Sequence, residues 1–377
     1  MKNPSKRVWV ELIVAFIITR SILLATGWFS QYFPINPNRP AEYISRGYAA
    51  SPIRSLDIWV RADSFYYLSI MSQDYFTRGN LQETQSNWAF FPLYPYLLKP
   101  ILLLVFDIQK DFNWVLAVGI GITNLFLLAA IFLLYKLIKH EFSDEELARR
   151  SIWLLLTFPT SFFLSSLYSE SLFLLLAITG LYAIALKKWP VAALIANLIA
   201  VTKSLGLIYW VILFISYDWK HTRWKDIAWF AIAPLTLSIF MFKSYWSTGN
   251  AMAPFIAQSA WGKSLSWPWL TFINESYQLP AYLYFERFLA IAFLISIPVM
   301  LSKLPKLLAF FGVLIMVPIF ISGSLMAFGR HMIMDISLII TIALVAKSKS
   351  ANLLTNLMFM FTQVIIMVGW SQYYNIW

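Results

Sequence analysis

The chain has 377 residues, of which 60% are hydrophobic and only 12% charged, with a net charge of +11 and a mean hydropathy of +0.67. That balance excludes a soluble globular domain and points to an all-α, polytopic integral membrane protein. The absence of cysteine excludes disulfides, thiol nucleophiles and cysteine-ligated metals.

The first apolar run, Val8–Trp28, follows Lys2, Lys6 and Arg7. It is too long for a signal peptide and lacks a small-residue cleavage site, so a retained first helix with a cytoplasmic N-terminus is expected. Next comes a long segment, Phe29–Phe112, that contains a second apolar stretch, Pro92–Phe106. Its short length and three prolines (Pro92, Pro95 and Pro100) favour a helix lying in the interface rather than a span. Counting it as a span would also put the basic cluster from Lys136 to Arg150 outside. The whole of Phe29–Phe112 is therefore expected to be one long external loop, and loops of that length are usually functional.

Further helices are expected near Asn113–Ile138, Ser151–Ser166, Ser169–Leu186, Pro190–Val201 and Leu205–Ser216. Others fall near Ile227–Trp246, Tyr282–Leu301, Leu304–Ser322, Met332–Ala346 and Leu353–Trp370. About eleven spans result, and their continuous apolar character rules out alternating membrane strands. With this count the cytoplasmic loops hold Lys136, Lys139, Arg149 and Arg150, then Lys187 and Lys188, then Lys220, Arg223 and Lys225. Lys303 and Lys306 follow, then Lys347 and Lys349, in agreement with the excess of positive charge expected there. These cations favour anionic membrane lipids and require no nucleic-acid partner. The 17 tryptophans and 19 tyrosines suit aromatic belts at both interfaces. No linker, low-complexity tract or internal repeat divides the chain, so residues 1–377 read as one domain.

Ionisable groups on the external side are few enough to weigh singly. Asp63 lies in Arg61-Ala62-Asp63-Ser64-Phe65-Tyr66-Tyr67. A carboxylate at a membrane surface can take a proton from a hydroxyl nucleophile, and partial desolvation raises its pKa toward a useful range. The ordinary alternative is a helix cap, and Asp74 in the same loop is a competing base. Glu170, in Tyr168-Ser169-Glu170-Ser171-Leu172-Phe173, stands where an apolar run resumes. An ionisable group at that boundary suggests function, while a first-turn glutamate is also favoured by the helix dipole.

Lys203, in Val201-Thr202-Lys203-Ser204-Leu205-Gly206, runs against the positive-inside bias and so calls for an anionic partner. That partner is a lipid phosphate, a substrate phosphate or a carboxylate such as Glu170. Arg330 and His331 recur at another external turn, and the planar arginine fork suits a phosphate; snorkelling to lipid headgroups is the alternative. Arg61 is a weaker member of the set. The loop Ser247–Pro280 carries Gly249-Asn250, Gln258, Trp261, Trp267 and Trp269. Aromatic rings stack on sugars and amides bond their hydroxyls, though interfacial anchoring explains the tryptophans equally well. No P-loop, nucleotide-binding glycine pattern, HExxH or external Asp-Xaa-Asp is present, which disfavours metal-assisted use of a nucleotide sugar.

Taken together, the chain resembles the GT-C fold glycosyltransferases, and within them the PIG-V-like mannosyltransferases. The resemblance rests on Arg61-Ala62-Asp63-Ser64 with Tyr67, on Ala89-Phe90-Phe91-Pro92-Leu93-Tyr94-Pro95, and on Phe158-Pro159-Thr160 leading to Tyr168-Ser169-Glu170-Ser171-Leu172-Phe173. Ala200-Val201-Thr202-Lys203 with Gly206, Gly249-Asn250 and Arg330 complete it in family order. It implies an inverting transferase that takes a sugar from a polyprenyl- or dolichyl-phosphate donor to a lipid or glycan acceptor at the external face. It further implies that Asp63 activates the acceptor hydroxyl and that Lys203 and Arg330 meet the donor phosphate; His331, next to Arg330, is a further candidate for that phosphate, and Glu170 is the catalytic candidate expected to orient Lys203 or a donor hydroxyl. Arg61, Tyr67, Tyr94 and Asn250 are the substrate-binding positions, and neither a metal nor another cofactor is expected. The chain departs from the family at Ala62, where a tryptophan is common, at Asp74-Tyr75 in place of Gly-Tyr, and at Ser204-Leu205 in place of a proline. A flippase or transporter of lipid-linked saccharides is the competing reading, and a surface-polysaccharide polymerase or ligase is a third. Polar groups collected at one face, after a long first loop, favour the enzyme over a transporter built on inverted repeats.

Overall fold

The computed structural model describes all residues except 1–5, 34–35, 37–48, 78, 105–106, 108–109, 222–223, 233, 275–279, 375 and 377, and only the backbone of 221, 227 and 280. Lys2 and Arg223, counted above as cytoplasmic charges, lie outside the described residues. Those described form helices and turns with no strand.

The expected helices are present, but they are not uniform spans. Five are long and apolar enough to cross a membrane: Lys6–Ser30, Phe112–Phe142, Trp224–Thr248, Ala281–Lys303 and Lys349–Ser371. Large apolar side chains stand exposed on their outer faces, such as Ile17, Leu125, Ile295 and Phe361. Such a surface fits hydrocarbon and not water.

Other apolar helices are shorter, among them Glu170–Ala185, Trp189–Ala200 and Ile336–Val345. The Ile336–Val345 helix has 10 residues and Glu170–Ala185 has 16. At about 1.5 Å per residue they reach roughly 15 and 24 Å, against about 30 Å of hydrocarbon. Helices that stop short leave free backbone ends, which at membrane depth must be bonded by protein or line a cavity.

Local chemistry explains where they stop. The expected span Ser151–Ser166 is instead Glu145–Thr157, followed by a short turn at Ser161–Leu164. Its start is set by Asp144, whose carboxylate accepts from the Leu147 amide at 2.9 Å, as a cap does. Its end is set by Pro159, which pushes Phe158 out of the helical region; Phe158 has ψ 139. The expected span Met332–Ala346 is likewise divided. Asp335 caps Ile336–Val345 by accepting from the Ser337 and Leu338 amides at 2.9 and 3.2 Å, and a separate turn of helix, Phe328–Met332, precedes it. Within the first loop, Leu93–Leu103 is a helix of 11 residues with Pro100 inside it, too short to cross.

The break after Thr157 is held by a residue inside the first long helix. Arg20 is buried, and its guanidinium donates to the carbonyls of Leu156 (2.6 Å) and Ser161 (2.9 Å) and to the Ser161 hydroxyl (2.8 Å). A charge within a span is costly unless it is used, and here it satisfies carbonyls that the shortened helix releases. At the other end of these helices lie the pairs Arg149–Glu11 (3.0 Å) and Lys139–Glu145 (3.2 Å).

Arg20→Met is expected to leave the Ser161 carbonyl without its donor, at about 1–3 kcal/mol, and to leave Leu156 O and the Ser161 hydroxyl to Gln363 Nε2. The measurement is thermal unfolding in detergent, where the variant should melt well below wild type while Arg20→Lys recovers part of the loss. An unchanged melting temperature would remove Arg20 from this role.

Candidate active site

The chain ends released by the short helices converge, with parts of the first loop, on one open cleft. Five separate segments contribute to it, and each is fixed locally.

Asp63 stands immediately before the Ser64–Gln73 helix and is mostly buried. Ala62 before it takes φ 42, a left-handed conformation that costs a non-glycine residue free energy and marks sites where the surroundings over-determine the backbone. Tyr168 holds this turn from the other side: its hydroxyl accepts from the Asp63 amide (3.2 Å) and donates to the Arg61 carbonyl (3.1 Å). The Leu167 amide donates to Trp59 O at 3.0 Å. The first loop is thereby stitched to the Tyr168-Ser169-Glu170 run.

Glu170 begins the Glu170–Ala185 helix and is fully buried. One of its oxygens, Oε1, receives both the Lys203 ammonium and the Arg330 Nε, and Arg330 Nη1 bonds Asp63 Oδ2. Two carboxylates and two cations thus form one buried network in which Arg330 bridges both acids. The guanidinium also lies 4.3 Å above the Tyr168 ring, a cation–π contact strengthened by burial. Arg330 is itself placed by a left-handed alanine, Ala327 with φ 67, and by Thr160, whose hydroxyl donates to Gly329 O at 2.7 Å. Lys203 sits in an extended link after Trp189–Ala200, where the chain doubles back so tightly that a side chain at Gly206 would overlap the Ile199 carbonyl.

The aromatic-proline run forms a wall. Ala89, Phe90 and Phe91 line the cleft. Tyr75 donates to Phe90 O (2.7 Å), Gln258 to Ala89 O (2.7 Å), and the Leu93 amide to Val201 O (2.9 Å). Phe90 stacks on Tyr66 with ring centroids 4.6 Å apart.

Of the residues singled out from the sequence, Asp63, Tyr67, Lys203, Arg330 and His331 line the cleft. Asp63 Oδ1 carries no hydrogen bond among the described residues. Tyr67 bonds the Ser169 hydroxyl at 2.7 Å. Glu170 does not line the cleft, so its place is to hold Arg330 and Lys203. Tyr94 is fully buried behind Tyr67 and bonds Thr123 at 2.6 Å. Arg61 is buried against Asp57 (2.7 Å) and Tyr373, and Asn250 closes an exposed turn by accepting from the Met252 amide at 2.8 Å. None of these three reaches the cleft. The competing base, Asp74, pairs with Lys243 at 2.7 Å and accepts from Tyr96 at 2.6 Å. Burial raises its pKa, but those bonds outweigh it and hold the carboxyl below its usual range.

His331 differs from its expected role. Its Nδ1 lies 2.5 Å from Ala327 O; a carbonyl cannot donate, so Nδ1 carries the proton and Nε2 is left as an acceptor. Burial, and then the charges of Lys263, Lys203 and Arg330, hold its pKa well below the usual value, so His331 presents a neutral acceptor and not a second cation. Lys263, which also lines the cleft, was not singled out from the sequence. The argument that drew attention to Lys203, a lysine on the side expected to be external, applies to it equally.

An apolar helical bundle whose free chain ends gather acids and bases at one cleft has the build of a membrane-embedded enzyme. The chain belongs to the mannosyltransferase (PIG-V) family, whose pattern matches residues 10–262. Arg330 lies beyond that segment and enters the site through the geometry above. GPI mannosyltransferase 2 of Schizosaccharomyces pombe is 30% identical over 156 residues, covering 41% of this chain and 31% of that protein. The match therefore spans less than a third of that relative's length. No solved structure matches the chain.

Removing the acid shared by two buried cations should cost about 3–5 kcal/mol. Glu170→Gln is thus expected to lower the melting temperature markedly. Glu170→Gln combined with Lys203→Met should be more stable than Glu170→Gln alone, because one unpaired cation is then gone. A double variant no better than the single would disprove the shared network.

Proposed function

We propose that the chain transfers mannose from a polyprenyl- or dolichyl-phosphate donor to a hydroxyl of a lipid or glycan acceptor, with inversion at the anomeric carbon. Family membership supplies the sugar and the reaction class. The observation that carries the mechanism is the state of Asp63: it lines the cleft, one oxygen is anchored on Arg330, and the other has no hydrogen bond among the described residues. A carboxylate oriented in this way has a free lone pair for a proton and cannot swing away from the site.

In the transfer, the acceptor hydroxyl oxygen forms a bond to the anomeric carbon on the face opposite the phosphate. Its proton passes to Asp63 Oδ1, and later to water. The bond between the anomeric carbon and the phosphate oxygen breaks, and its electron pair leaves on the phosphate. Arg330 Nη2 has no bond among the described residues, and Arg330 and Lys203 both line the cleft, so positive potential is already oriented where negative charge develops. The aromatic wall of Phe90 and Phe91 with Trp261 offers ring faces to a sugar. In the orientation expected from the positive-inside bias, this cleft opens on the external face.

The test is transfer in reconstituted membranes from a panel of labelled polyprenyl-phosphate sugars. Asp63→Asn keeps the shape and the Arg330 contact but lacks the basic oxygen. A fall in rate of about 10²–10⁴-fold is expected, with melting unchanged enough to show an intact fold, and activity should survive EDTA. Full activity in Asp63→Asn would overturn the assignment of the base. Movement of lipid-linked saccharide across the bilayer without transfer would favour a flippase.

A further inference from the structure

Two cations expected to meet the donor phosphate are already engaged: Lys203 by Glu170, and Arg330 by Glu170 and Asp63. Lys263 is different. It is half-buried, lines the cleft, and makes no hydrogen bond or ion pair among the described residues. Asp63 and Glu286 act on it only at longer range. A half-buried ammonium with three donors and no acceptor is poised for an anion.

Lys263 also lines a second, larger cavity. Ser204, Gln258, Lys263 and His331 border both spaces, so the cleft and the second cavity meet at a polar junction. Away from that junction the second space is a mainly apolar groove, walled by Leu205, Phe255, Leu265, Pro318, Ile319 and Ile321, with Ser264 and Ser322 its polar members. One side is polar and holds Asp63, the other is oily, and a free cation stands between them.

The segment carrying Lys263 is a fixed strap. The Ser264 and Ser266 amides donate to Ser322 O and Ile321 O, both at 2.9 Å. Thr271 donates to Phe320 O (2.8 Å) and Asn274 to Gly323 O (2.7 Å). Gly323 takes φ 75, and a side chain there would press on the Ser264 carbonyl. Beyond the junction the strap exposes Leu265, which is 88% accessible, and Trp267 and Trp269, which stack on each other at 5.0 Å. Exposed paired tryptophans suit the interfacial region of a bilayer, which places the groove beside lipid.

We propose that Lys263 binds the phosphate of the lipid-linked donor, with the prenyl chain lying in the apolar groove beyond it and the sugar in the cleft facing Asp63. This rests on the donor class proposed above. Lys203 and Arg330 then organise the acids and shape the potential, while Lys263 makes the direct phosphate contact. A lipid phosphate satisfies both halves of the junction at once, which inorganic phosphate does not.

The pH response follows. Burial, then the charge of Arg330, pushes the Lys263 ammonium down to about 8, against the pull of Asp63 and Glu286; His331, on the adjoining turn, is neutral. Lys263 is charged below that pH and loses its proton above it, so binding should weaken as pH rises through about 8. Lys263→Arg stays charged and should lose that dependence.

The experiment is binding of a polyprenyl monophosphate to the full chain in nanodiscs, with donor KM measured alongside. Lys263→Met should weaken binding at least about 10-fold, as expected for a lost charge-assisted hydrogen bond, and raise donor KM without changing acceptor KM. Lys263→Arg should restore most of it. Leu265→Ser, at an exposed position, should reduce the preference for a long-chain over a short-chain prenyl phosphate. Wild-type affinity in Lys263→Met would overturn the proposal whatever the transfer assay gives. Inorganic phosphate competing as well as the polyprenyl phosphate would overturn the groove. Lys263-dependent binding without mannose transfer would uphold this site and sink the activity proposed above.

Discussion

Arg330 bridging Asp63 and Glu170 is the contact on which the rest of the site depends. Buried charges are tolerable only when paired and bonded, and here each acid needs the arginine while the arginine needs both acids. Glu170 is drawn further into balance by Lys203. The four groups come from the first loop, the turn after Ser161–Leu164, the link after Trp189–Ala200 and the turn Phe328–Met332. Because none of the four is stable in place alone, the network fixes four segments relative to one another, together with the bonds of Tyr168, Leu167 and Thr160. The fold and the chemistry therefore share one set of bonds.

The short helices make such a network possible. A helix that crosses fully bonds its own backbone and offers only side chains to the interior. Glu145–Thr157 and Trp189–Ala200 stop early and Ile336–Val345 starts late, and the chain at each of these breaks turns inside the bundle. Those turns need special geometry, supplied by Pro159, by Gly206 and by the left-handed Ala327, and the first loop adds a left-handed Ala62. Two of these strained alanines sit beside Asp63 and close to Arg330, where the surrounding bonds can hold them. Arg20 is the counterpart from within a long helix, bonding carbonyls that the early stop at Thr157 releases.

Much of this was legible in the sequence. Apolar runs reported the helices, and motif residues named five of the groups at the cleft: Asp63, Tyr67, Lys203, Arg330 and His331. The pairing of Lys203 with Glu170 was among the partners the charge argument allowed. Helix ends were less legible, because hydropathy continues smoothly through Phe158-Pro159-Thr160 and through Met332–Asp335 while the backbone does not. Arg61, Tyr94 and Asn250 belong to the same motifs yet do not reach the cleft; motif membership reports that a residue matters, and here these three support the loop, the Tyr67 ring and a helix end. Arg20 and Lys263 were missed for opposite reasons. The first hid inside a run whose average was apolar, and the second lay in a loop where tryptophans drew attention to sugar stacking.

Charge distribution also separates the two kinds of membrane protein that this bundle could be. A carrier must release its cargo to either side, so its binding groups face a path through the bundle and bind weakly enough to let go. Here the acids and the arginine are locked to one another by bonds that no cargo made, and Glu170 is shut away from the cleft altogether. What the cleft leaves open is narrow: one oxygen of Asp63, one nitrogen of Arg330, the neutral acceptor of His331 and the ammonium of Lys263. A carboxylate, a guanidinium and an ammonium held in place around one cleft suit the roles proposed for a bond-breaking reaction better than they suit a carrier. In the binding mode proposed for the donor, the polar junction and its mainly apolar groove add direction, with the sugar on the side of Asp63. Rigidity of that kind is the physical argument for transfer over transport.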